Sequence, residues 1–100
     1  MNTYRISIHP FAQGDLNDIY QYIKDVFKAP LTAQRFVYNL VANIQTLSYR
    51  ADTIGFCSHP YLTRLYGKNI KRINFKKIAI IFVIDGEDVL VLRILNAEMI

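Results

Sequence analysis

The sequence predicts an α+β fold of order β-α-α-β-β-β, a helical hairpin packed on a mainly antiparallel four-stranded sheet. Three observations carry this expectation. Two stretches, Ala12 to Phe27 and Ala33 to Leu47, repeat apolar residues at helical spacing and are separated by little more than Lys28-Ala29-Pro30. Ile78 to Ile84 is an unbroken run of seven apolar residues, the pattern of a central strand covered on both faces. Asp85-Gly86, between that run and Val89–Leu95, is a hairpin-turn signal.

The elements follow in order. Tyr4-Arg5-Ile6-Ser7-Ile8 alternates large apolar with polar residues, the period of a half-buried strand. Pro10 suits the first turn of a helix, where its missing N–H removes no bond, and His9 before it is placed to cap. Leu16, Ile19, Tyr20, Ile23, Val26 and Phe27 form the stripe of the first helix, with Asp15 and Asp18 towards its positive end. The short connector implies an antiparallel second helix with Ala33, Phe36, Val37, Leu40, Val41, Ile44 and Leu47 on one face. Residues 50–67, punctuated by Gly55, His59-Pro60 and Gly67, read as a loop with one short extended piece. Ile70–Phe75 reads as a strand that turns at Lys76-Lys77 into Ile78–Ile84, and Val89–Leu95 is the last strand.

One hundred residues without repeat, linker or low-complexity tract make a single domain over residues 1–100. The longest apolar run is far short of the ~20 residues of a membrane-spanning helix, and Met1-Asn2-Thr3-Tyr4-Arg5 has no signal-peptide character. The expectation is a cytoplasmic protein that makes no membrane contact. The single cysteine, Cys57, agrees with it, and one Cys with two separated histidines, His9 and His59, gives no zinc spacing. No metal and no cofactor are expected. The net charge is +4, and half of the twelve Lys and Arg residues lie between Arg64 and Lys77: Arg64, Lys68, Lys71, Arg72, Lys76 and Lys77, with no acid among them. A concentrated cationic surface on a rigid hairpin fits phosphate-rich or acidic partners.

This order, with these residues, resembles the RelE/ParE superfamily of small bacterial toxins. The likeness runs through Tyr4–Ile8, the helix Asp15–Ile23 ("DLNDIYQYI"), the second helix from Pro30, and Arg72–Leu95 ("RINFKKIAIIFVIDGEDVLVLRIL"). The helix and the strand ending "VLRIL" look more like the ParE branch. The resemblance implies the toxin of a type II toxin–antitoxin pair, neutralised by a cognate antitoxin and inhibiting DNA gyrase by binding. An alternative is a RelE-like ribosome-dependent mRNA endonuclease, whose partners are the ribosome and mRNA. A third reading is a non-toxic protein of this fold that only binds the antitoxin.

Cleavage would require a base, an acid and cations around the scissile phosphate. The hairpin offers Lys71, Arg72, Lys76 and Lys77, but Ile78 stands where the RNase branch tends to place an arginine. Beyond Leu95 come Asn96 and Glu98, without Arg, His or Tyr, so the catalytic set is incomplete and no catalytic residue is assigned. In the ParE branch the last strand ends in Arg-Ile/Val-Leu-His followed by basic residues; here Arg93 matches, while Asn96 replaces His and Ala97-Glu98-Met99 replaces the basic tail. The candidates for contact with target or RNA are therefore Arg64, Lys68, Lys71, Arg72, Lys76, Lys77, Arg93, Asn96 and Glu98. Plain alternatives stand beside these: the cations as a solvated hairpin, and Arg93 in an ion pair with an acid such as Asp18 or Asp88; His9 reads as a cap. Glu98 lies near a terminus free to fray.

Overall fold

The computed structural model describes residues 3–100, in which β1 (Arg5–Ile8) leads into α1 (Pro10–Val26) and α2 (Pro30–Gln45). A short α3 (Leu47–Arg50) runs into a 3-10 turn (Ala51–Thr53), and α4 (Pro60–Tyr66) precedes β2 (Lys71–Phe75), β3 (Ile78–Asp85) and β4 (Asp88–Asn96). A second 3-10 turn, Ala97–Met99, closes the chain.

Local chemistry sets the helix ends. His9 Nδ1 accepts the Phe11 N–H at 3.0 Å and Pro10 fills the first helical position, so the start of α1 is capped as expected. The helix ends where the Phe27 N–H reaches the Ile23 carbonyl and Lys28 turns left-handed at φ 53°, after which Pro30 opens α2. Because α1 begins at Pro10, Asp15 and Asp18 lie beyond its first turn, and no acidic residue stands there to meet the dipole.

The sheet order is β1-β4-β3-β2, with β1 parallel to β4 and the other pairs antiparallel. Its two faces carry separate cores. Ile73, Ile78, Ile80, Phe82, Val89, Val91 and Ile94 pack under the α1–α2 hairpin with Ala12, Leu16, Leu40 and Ile44. On the opposite face Ile70, Ala79 and Ile81 pack against Leu62 of α4. The unbroken apolar run is thus β3, buried from both sides.

Two departures from the sequence reading matter for the site. Residues 50–67 are not mainly loop: the 3-10 turn and α4 lie within them, and the extended piece is the single bridge Phe56–Lys71. Seven residues, "PYLTRLY", are too few to display a helical period, and His59-Pro60 reads equally as a turn; Pro60 in fact stands at the first helical position. Second, β4 carries a bulge. Ile81 pairs with Arg93 and Phe82 with Val91, which leaves Leu92 as an extra residue.

Candidate functional site

The bulge decides what β4 presents. In an unbulged strand Leu92 and Arg93 would point to opposite faces. Here both line one cleft of about 300 Å³, together with His9 and Phe11 from the start of α1 and Leu65 and Tyr66 from the end of α4. A bulge re-aims side chains in this way.

Arg93 is fixed in place by the carboxylate of Asp15. Its Nε donates to Oδ2 at 2.8 Å and its Nη2 to Oδ1 at 2.9 Å, a bidentate fork, while the Ile94 N–H donates to Oδ2 at 2.9 Å. Arg93 Nη1 reaches the Tyr66 hydroxyl at 3.3 Å, tying β4 to α4. The hydrogen bond to Asp15 holds the guanidinium above its ordinary pKa, against the opposing effect of burial. Asp15 is thus the ion-pair partner of Arg93, in place of Asp18 or Asp88. Asp88 pairs instead with Arg5, its neighbour across β1 and β4, at 2.8 Å on the exposed edge.

The sequence-predicted cations separate in space. Lys71 is buried: its ammonium donates to the carbonyls of Ile54 and of Ala51, the latter at 3.4 Å, and lies 5.0 Å from the centre of the Phe56 ring. It fastens the 51–56 segment to the edge of the sheet. Arg72 is half-buried on edge strand β2 with its Nε on Asn74 Oδ1 at 3.1 Å. Lys76 is exposed in the β2–β3 turn, its ammonium 5.6 Å and 5.7 Å from the ring centres of Phe36 and Phe75. Lys77 pairs with Glu98 at 3.0 Å. Arg64 and Lys68 are exposed, one in the last turn of α4 and one in the link to β2.

Lys77, Asn96 and Glu98 therefore meet at one end of the sheet. The Ala97 N–H donates to the Lys77 carbonyl at 2.8 Å, and Asn96 Oδ1 accepts the Glu98 N–H at 2.9 Å. These bonds fold the last residues back as a 3-10 turn, so Glu98 does not lie in a frayed tail. Lys68 and Lys76 stand beyond opposite ends of the five-residue β2, which by itself spans roughly 16 Å. One stretch of sequence becomes two cationic places, with a structural lysine between them.

The site residues missed from sequence are Asp15, Phe11, Leu65 and Leu92. A signal for Asp15 existed: three residues after buried Ala12 and four before half-buried Ile19, it falls on the inward stripe of α1. A carboxylate there needs a partner from the sheet. The bulge and the end of α4 left no such mark. Among the described residues no helix is long and apolar enough to cross a membrane.

Comparison with known proteins agrees with this architecture. None of the curated proteins matches the chain. Among solved structures, a chain of the "Chromosomal ParDE TA system from P. aeruginosa" superposes with a TM-score of 0.75, covering 92% of this chain and 94% of its own, at 20% identity. At that identity the likeness speaks for the fold. The family model for the ParE toxin of the type II toxin–antitoxin system parDE matches residues 6–100. The chain belongs to the ParE family of type II toxin–antitoxin toxins.

Proposed function

We propose that this ParE-family toxin acts by binding DNA gyrase, and that a cognate antitoxin covers and neutralises it. The observation that carries the reading is the family match over residues 6–100, in which a ParE toxin fold presents exposed cations, Arg64, Lys68 and Lys76, on a rigid frame. Such a surface suits an anionic or nucleic-acid-bound target and an acidic antitoxin segment that folds on binding.

The disposition of the remaining groups favours binding over bond cleavage. Lys71 spends its ammonium on backbone carbonyls, and Glu98, the acid nearest the hairpin cations, is held by Lys77. A scissile phosphate at the hairpin would find Arg72 and Lys76, and among the described residues no acid pairs with either.

Controlled expression of the chain without antitoxin tests the proposal. Gyrase poisoning gives filamentous cells and cleaved DNA while protein synthesis continues at first. Immediate translation arrest with cut messages overturns it in favour of the ribosome. Normal growth with the folded protein present removes both toxic readings. Co-expression of a short acidic reading frame beside the gene restores growth if the antitoxin half is right.

A further inference from the structure

We infer that the cleft between the start of α1, the end of α4 and the β4 bulge binds an apolar residue accompanied by a carboxylate, presented by the antitoxin. The proposal rests on the reading above that such a partner exists, and adds where one part of it sits and what chemistry it carries.

The argument is an inventory of donors. A guanidinium has five N–H groups. Arg93 uses Nε and one N–H of Nη2 on Asp15, and one N–H of Nη1 on Tyr66, which leaves one N–H on each terminal nitrogen. Arg93 lines the cleft and remains 29% exposed. His9 lines it too; because its Nδ1 accepts from the Phe11 N–H, its remaining nitrogen, Nε2, carries the proton. The Tyr66 hydroxyl accepts from Arg93 and keeps its own proton to give.

Acceptors are scarce in the same place. No acid is among the lining residues, and Asp15, behind Arg93, already receives three donors on its two oxygens. The other walls are Phe11, Leu65 and Leu92, and the rim is open: Phe11 is 68% and Leu65 52% exposed. A ligand that satisfies the cleft therefore brings acceptor oxygens attached to an apolar body.

Three considerations select a carboxylate on a partner chain. Two N–H groups on one guanidinium match the two oxygens of a carboxylate better than a single carbonyl. The chain's net charge of +4 favours an acid over a neutral group. A volume of about 300 Å³ is at the small end for ligand sites, so it takes one or two residues and not a whole helix. A Lys in the same position would face only donors and is rejected.

The test uses the full chain, isotope-labelled, titrated with N-acetyl-Ala-Leu-Glu-amide and its Gln and Lys counterparts. The Glu peptide is expected to shift the NMR signals of the Arg93 Nε–H and the Leu65 and Leu92 amides saturably at millimolar concentration. The Gln peptide should bind at least fivefold more weakly and the Lys peptide not at all. Leu65→Glu, at a half-exposed rim position, should abolish the shifts while the remaining spectrum is unchanged; Phe11→Glu is the second variant. No saturable shift up to 10 mM, equal binding of the Lys peptide, or indifference to both variants overturns the proposal.

Complex formation separates it from the reading on which it rests. Both variants should weaken the complex with the antitoxin at least tenfold. Undiminished affinity refutes the cleft as an antitoxin site and leaves the toxin–antitoxin pair standing. If no neighbouring gene product binds the native chain, the assignment to an antitoxin fails even where the peptides bind.

Discussion

Asp15 satisfies three donors from β4, and its removal strands a guanidinium that is only partly in water. Asp15→Asn should cost about 1–3 kcal/mol, less than the ~3–5 of a fully buried pair because solvent screens the exposed side of Arg93. Urea unfolding measures this, and an unchanged midpoint would show that water replaces the carboxylate. The guanidinium itself, raised above its ordinary pKa, stays charged through the working range, and the stability it contributes is lost only at strongly alkaline pH. Lys71 is the second residue whose role changed between sequence and structure. Lys71→Met keeps the stem packed but orphans the Ile54 carbonyl and leaves that of Ala51 with the Ile54 N–H alone, a loss of about 1–3 kcal/mol. Faster amide exchange confined to residues 51–57 would accompany it; uniform exchange across the chain would contradict the fastening role. That Arg93 wants an acid and that Asp15 faces inward were legible in sequence, but their pairing across 78 positions was not, and Lys71 bonds to backbone, which has no sequence signature.

At the scale of elements, the two turns flanking β3 solve one problem differently. Gly86 at φ 61° and Lys76 at φ 55° both open two-residue connections in the left-handed region. A Cβ at Gly86 would meet nothing within 4 Å, so Gly86→Ala isolates the dihedral cost. Left-handed strain of ~1–2 kcal/mol, less the ~0.5–1 gained by restricting the unfolded chain, predicts a net destabilisation of about 1 kcal/mol. Thermal unfolding checks it; a rise in Tm would mean the turn relaxes to another type. The hairpin, the helical pair and the double-sided strand were readable because their periods and turn residues are local. The bulge was not, because it depends on which residues of β3 and β4 meet. Nor was α4, whose seven residues acquire meaning only when Leu62 finds Ile70, Ala79 and Ile81.

For the whole molecule, charge is the property that survives averaging. With Lys71 buried and Lys77 paired to Glu98, the long-range field towards a partner comes from Arg64, Lys68, Arg72 and Lys76 together with the net charge of +4. Association with an acidic antitoxin should therefore slow markedly between 50 mM and 500 mM salt, as the Debye length shrinks from roughly 14 Å to about 4 Å, while dissociation changes little. Stopped-flow or surface-binding kinetics decide this, and an on-rate indifferent to salt would show that these cations do not steer the encounter. The sequence by itself determined the α+β order, the double-sided burial of the Ile78–Ile84 strand and the family resemblance, since each follows from periodicity and turn chemistry carried by neighbours in the chain. Only the tertiary structure decided which cations face solvent, that Asp15 holds Arg93, and that a bulge turns Leu92 and Arg93 into one cleft. Those outcomes depend on register and on contacts between distant residues, where a shift of one position in the strand reverses the face that a side chain presents.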